Sequence, residues 1–392
     1  MPALRATHLS LVMALCCGLA ESGWAAEDGV APDKIVFGQA AVLEGPTASL
    51  GLGMREGLLA AFGEVNRAGG VNGRRLELIS RDDGYEPKKS IAAVQQLLDE
   101  DKVFALVGPV GTPTSAATQP IAAAAGVPFI GPFTGAEFLR NPHKPNVINV
   151  RASYFQETET MVQRLTTDLG LSRIAIFYQD DSYGRAGLAG VLRALDKRRM
   201  KLVAEGTYER NTTAVKRAVL EIRRAKPEAI IMVGAYKPCA EFIKLSRQLN
   251  VDAVFVNISF VGSDALAREL GPDGAGVVVT QVVPFPRDTR IPLVARYQAA
   301  LRALDPKAQP GFVSLEGYVV GRLVAAALER IDGEPTRNAL LEAMTNSIPF
   351  DLQGATLTYG PVNNQGSNDV FLTVIQPDGT FKPVAALSRA GG

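Results

Sequence analysis

Val107-Gly108-Pro109-Val110-Gly111-Thr112-Pro113-Thr114-Ser115 joins an apolar run, Val103 to Val107, to an alanine-rich run, Ala116 to Ala125. The first run reads as a buried strand and the second as a helix. The loop between them is built from glycine, proline and small hydroxyls. Glycine lets a ligand approach the backbone closely. Pro113 suits the first turn of a helix, where its missing N–H costs nothing. The free N–H groups of that turn point into the loop and favour an anionic group there. Gly131-Pro132-Phe133-Thr134-Gly135 repeats this design after the next strand, Val127 to Ile130. Ligands of open α/β sheets bind beyond the carboxyl ends of the strands. The two loops therefore form one half of a binding cleft.

Working outward, strand and helix alternate. Lys34 to Ala41 is a strand, Gly53 to Arg67 a helix, Arg75 to Ser80 a strand, and Pro87 opens a helix with apolar residues at helical spacing. The pattern implies βαβ units and a parallel sheet. Asn146 to Arg151 breaks the rhythm as a crossover, and a second alternating series follows from Thr158 to Val282. Pro284-Phe285-Pro286 reads as another crossover before three helices return. Ala355 to Tyr359 and Asp369 to Gln376 read as paired strands.

With 392 residues the chain is long enough for two domains, and an apolar fraction of 47% suits large α/β cores. A net charge of +1 and 21% charged residues give no reason to expect a nucleic-acid partner or an acidic membrane surface. Arg5, the apolar run Leu9 to Ala20 and the small residues Ala25-Ala26 form a secretory signal, with the mature chain starting near Ala26 or Glu27. Cys16 and Cys17 fall inside that signal, so only Cys239 remains and no internal disulfide is available.

Chemistry-bearing motifs are sparse. Gly51-Leu52-Gly53-Met54-Arg55-Glu56-Gly57 is one residue too long for a dinucleotide fingerprint and reads as a helix start with small packing residues. His143 is the one histidine left after the signal, so Ser-His-Asp catalysis and the common zinc sites lack parts. Asp82-Asp83 and Asp180-Asp181 read as loop and helix caps rather than cation ligands. No cofactor, metal or enzymatic activity is expected. Tyr183 and Tyr236 lie at strand ends of the second series, each offering an apolar face and one hydrogen-bonding tip to a small ligand.

Glu44-Gly45-Pro46, the Gly-Gly-Val-Asn-Gly of residues 69–73, Arg81-Asp82-Asp83-Gly84, Val107-Gly108 with Ser115 to Pro120, and Asp180 to Gly184 together resemble a known family. It is that of the periplasmic binding proteins of branched-chain amino acid ABC transporters, the leucine/isoleucine/valine-binding type. The resemblance runs over roughly Asp33 to Pro383. It implies an α/β fold of periplasmic binding protein type I, with two doubly wound parallel-sheet lobes joined by three crossovers near Asn146–Arg151, Val283–Pro286 and Gln353–Tyr359. Residues 33–148 with 285–352 would form lobe 1, and residues 149–284 with 353–388 lobe 2. The implied role is a monomeric periplasmic subunit that clamps a small solute and delivers it to inner-membrane ABC permease subunits. A ligand-sensing receptor subunit of the same fold is the alternative.

The resemblance also implies site residues. Thr112 would hold the ligand carboxylate, assisted by Thr134 and Gly135. Tyr183 and Tyr236 would line the cleft from lobe 2, and Leu50 falls near an aromatic that packs on the ligand side chain. The acid that pairs with the ligand ammonium falls at Ser259, a neutral hydroxyl, and an unpaired buried ammonium is very costly. The expected ligand is therefore a carboxylic acid or amide, unless Glu44 supplies the missing charge. Tyr85 and Gly111 stand where some relatives carry a cysteine pair.

Overall fold

A computed structural model describes residues 27–388. The expected signal and its cysteines lie outside the described residues. The chain begins with β1 (Lys34–Ala41), α1 (Ala48–Arg67), β2 (Arg75–Asp82), α2 (Pro87–Asp99), β3 (Ala105–Val107), α3 (Thr112–Ala124), β4 (Phe129–Ile130) and β5 (Val147–Ile148). These strands form one parallel sheet of order β2-β1-β3-β4-β5. α4 (Tyr154–Thr167), β6 (Ile174–Gln179), α5 (Ser182–Asp196), β7 (Glu205–Tyr208), α6 (Lys216–Arg224), β8 (Ala229–Val233), α7 (Tyr236–Gln248), β9 (Val254–Asn257), α8 (Ser263–Leu270) and β10 (Val278–Gln281) build a second lobe. α9 (Pro292–Leu304), α10 (Phe312–Leu328) and α11 (Arg337–Thr345) follow, with α9 and α10 packed on α1 of the first lobe. The chain closes with β11 (Phe350–Asp351), β12 (Thr356–Leu357), β13 (Phe371–Ile375) and β14 (Phe381–Val384). The second sheet runs β14-β13-β10-β9-β8-β6-β7, with β13 and β14 antiparallel to their neighbours.

Two expectations are corrected. β12 pairs with β11, not with β13. Gln353 and Gly354 take positive φ (64° and 146°) and fold Leu352 back onto Ala355, which makes a local hairpin. The anchor helix also starts at Thr112 rather than Ala116. Gly111 at φ 106° turns the chain, and Pro113 fits within the first turn.

The first crossover runs beside the stretch that follows β12. Asn149 N–H donates to Asn364 O (2.7 Å), and Gly366 N–H to Asn149 O (2.8 Å). In lobe 1 the glycine-rich start of α1 serves packing. A Cβ on Gly51 would collide with the Val42 carbonyl oxygen, and one on Gly57 with that of Ser314. On the facing helix, a Cβ on Gly317 would collide with the Met54 carbonyl oxygen. α1 and α10 thus meet backbone to backbone. Gly317→Val is expected to cost about 3 kcal/mol in urea unfolding. Gly63→Ala, whose Cβ would meet only the mobile end of Arg67, is expected to stabilise the chain by about 0.5–1 kcal/mol.

Candidate functional site

The two strand-end loops of lobe 1 come together as the sequence implies. Thr112, first residue of α3, shares a 2.7 Å hydrogen bond with the Thr134 hydroxyl. The Tyr154 hydroxyl lies 3.3 Å from Thr134, and Gly135 O accepts from Tyr154 N–H (2.7 Å). A Cβ on Gly135 would strike the Tyr154 backbone and ring, so only glycine brings the loop this close.

Lobe 2 presents Tyr183 and Tyr236 from the first turns of α5 and α7. The Tyr183 hydroxyl donates to Gly234 O (3.4 Å), and its ring lies 5.7 Å from that of Tyr154. Tyr236 reaches across the interface, where its hydroxyl accepts from Ser49 N–H (3.4 Å). Leu50 is fully buried and packs on Gly262 of lobe 2, at a turn whose φ of 81° favours glycine. Glu44 stands apart from this group. It is exposed, and its N–H donates to Asp82 Oδ1 (3.1 Å). Asp82 and Asp83 bind backbone amides of Leu43 and Tyr85 (2.7 and 2.9 Å).

The centre holds residues that sequence reasoning missed. Phe260, fully buried in the turn after β9, lies 4.6 Å from the Tyr183 ring, 5.0 Å from Phe133 and 6.2 Å from Tyr85. Tyr85 and Phe133 belong to lobe 1, so aromatic rings close the interface. The Tyr85 ring also rests on Gly111, occupying the space a Cβ there would need.

Beneath the rings lies a buried ion cluster. Arg151, 1% exposed, donates from Nη2 to Glu157 Oε1 (3.0 Å) and to Ser259 Oγ, and from Nη1 to Glu316 Oε1 (3.4 Å). Its guanidinium also sits over Phe133, 5.2 Å from the ring centroid. Glu157 accepts further bonds from Ser259 N–H (3.0 Å), Ser259 Oγ (3.0 Å) and Thr280 Oγ1 (2.6 Å). A carboxylate offers about four acceptor positions, and these four donors take them up. Burial opposes the Arg151 charge, but the carboxylates of Glu316 and Glu157 outweigh it and hold the guanidinium charged. Burial pushes Glu316 up to about 7, against the pull of Arg151 and with the help of Glu157. The sequence signal for this cluster was weak. Arg151 and Glu157 are six residues apart in a stretch that reads only as a crossover leading to a helix, and Glu316 is far along the chain.

A family model described as periplasmic binding protein matches residues 34–380. A possible leucine/isoleucine/valine-binding protein from Rhodopirellula baltica SH 1 shares 40% identity over 92% of this chain and 98% of its own, with a TM-score of 0.86. A substrate-binding periplasmic protein from Ralstonia solanacearum shares 28% identity over 89% and 99%, with a TM-score of 0.85. Leu/Ile/Val-binding protein homolog 3 of Brucella melitensis is 25% identical over 91% of this chain and 94% of its own.

Glu316 makes the cluster sensitive to pH. Its folded value of about 7 lies above the ordinary 4.5. The stability it contributes is therefore fully present below the unfolded value and lost as pH rises through the folded one. Between about pH 5 and about pH 8 the wild type should lose stability relative to Glu316→Gln. Urea unfolding of both proteins across that range measures the difference.

Proposed function

The chain belongs to the periplasmic binding protein family, and from that premise we propose that it is the substrate-binding subunit of an ABC importer. It works in the periplasm, holds a small solute between its two lobes and hands it to membrane permease subunits. Hinge motion about the three crossovers opens and closes the clamp. The lobes divide at residues 148 and 284, with the C-terminal strands on lobe 2. The solute carries a carboxylate or amide and lacks an α-ammonium group.

One observation carries the ligand class. The acid beside Ser259 is Glu157, and both of its oxygens are already bonded to Ser259, Thr280 and Arg151. An ammonium brought here would meet the Arg151 cation and a neutral hydroxyl, with the acceptor positions of Glu157 already taken. The opposite wall favours an acceptor-rich group. The Thr112 and Thr134 hydroxyls stand at the N-terminus of α3, where backbone N–H groups and the helix dipole attract negative charge. Tyr183, Tyr236 and Leu50 close over the body of the solute. A cleft of about 890 Å³ lined by Ser49, Gly53, Gly262 and Ser314 opens between the lobes beside Leu50.

The expected outcome is that 4-methylpentanoate, leucine without its amino group, stabilises the mature protein in thermal unfolding and leucine does not. At a hundredfold excess over its dissociation constant the acid contributes about 2.7 kcal/mol. Thr112→Val should weaken the acid about tenfold, the loss of one hydrogen bond to a charged group. Stabilisation by leucine alone would contradict the reading.

A further inference from the structure

We infer that the solute carries a flat, unsaturated ring, which Phe260 of lobe 2 clamps against Phe133 of lobe 1. The inference rests on the reading above and sharpens its ligand class. The turn Ser259–Val261 carries Phe260 between two fixed points. On one side Ser259 N–H is bonded to Glu157 (3.0 Å), and on the other Gly262 O accepts from Leu266 N–H of α8 (2.9 Å). The backbone of Phe260 is thus pinned, and its ring is delivered to the interface at a set height. There it faces Phe133 at an interplanar angle of 31° and Tyr85 at 33°, both tilted. Tyr183 lies beside it on lobe 2, tilted by 56°.

When the lobes part, Phe260 and Tyr183 leave with lobe 2, while Phe133 and Tyr85 stay with lobe 1. The slot that opens between them has aromatic rings on both sides, close to the Thr112–Thr134 hydroxyls. Arg151 lies over both Phe133 (5.2 Å) and Tyr154 (5.9 Å), and the Tyr154 hydroxyl is 3.3 Å from Thr134, so a carboxylate at Thr134 stands near the Phe133 ring. A planar ring is about 3.5 Å thick, one van der Waals contact distance. A puckered or branched group of the same carbon count is thicker and would hold the lobes further apart. A flat ring therefore restores the interlobe contacts most completely, and offset stacking on both faces adds to its burial. Phe260 would set specificity by shape rather than by charge.

The test is calorimetric titration of the mature protein with benzoate, cyclohexanecarboxylate and leucine, repeated on Phe260→Leu and Phe133→Leu. Both variants conserve most of the volume, and their melting temperatures report whether each folds. The inference predicts that benzoate binds about tenfold more tightly than cyclohexanecarboxylate to the wild type. Either variant should shrink that ratio to about threefold or less. Equal binding of the two acids, or an unchanged ratio in a folded variant, overturns the ring clamp while leaving the carboxylate reading standing. Binding of leucine with neither acid overturns both, as does the absence of heat from all three at millimolar concentration.

Discussion

The Arg151 guanidinium is the tie on which the arrangement depends. It sits in the first crossover, takes Glu157 from α4 of lobe 2 and Glu316 from α10 of lobe 1, and reaches Ser259 at the end of β9. A buried ion pair adds little net stability over an apolar replacement, but losing one partner leaves an uncompensated charge and costs about 3–5 kcal/mol. The cluster therefore fixes which groups can occupy the middle of the molecule. It holds the Ser259 turn in place and so positions Phe260. It also uses up Glu157, which would otherwise be a natural partner for a cationic ligand. Stability and ligand choice are coupled through the same few atoms.

Contacts at the rim of the interface differ in kind. On one edge Arg210 and Asn211 of lobe 2 donate to Glu86 of lobe 1 (3.1 and 2.8 Å). On another, Asp264 of α8 accepts from Phe312 N–H (2.9 Å) at the start of α10. Glu86 is 41% exposed, and ion pairs of that kind contribute about 0–1 kcal/mol and are screened by salt. Such bonds orient the lobes without locking them. The apolar weight lies inside, where Leu50, Phe133, Tyr183 and Phe260 are essentially excluded from water. A clamp with a weak polar rim and a shape-selective apolar centre responds to what fills the centre.

Much of this was legible in the sequence. The strand–loop–helix at Val107 to Ala125 and its echo at Val127 to Gly135 announced the parallel sheet and the first cleft wall, because glycine, proline and periodic apolar residues are local signals. Within those loops, the family resemblance singles out Thr112 and Thr134. What escaped were features set by distant partners. β5 is two residues long and pairs only because β4 is beside it, and α8 is a short helix without a hydroxyl or acid cap. Arg151, Glu157 and Glu316 form a site only once three separate segments meet. Phe260, one position after the neutral Ser259, reads as an ordinary core aromatic until its neighbours across the interface are known. Glu44 drew notice by its type and its loop, but its side chain stays at the exposed surface.

The central claim is that this site binds a carboxylate at the hydroxyl pair and offers no partner to an ammonium. The most direct measurement is a crystal structure of the mature protein purified with its natural solute. The account predicts an acceptor-rich group of the solute within hydrogen-bond distance of the Thr112 and Thr134 hydroxyls, with Glu157 still bonded to Arg151, Ser259 and Thr280. A solute ammonium seated on Glu157 or Glu316, with Arg151 turned away, would contradict it.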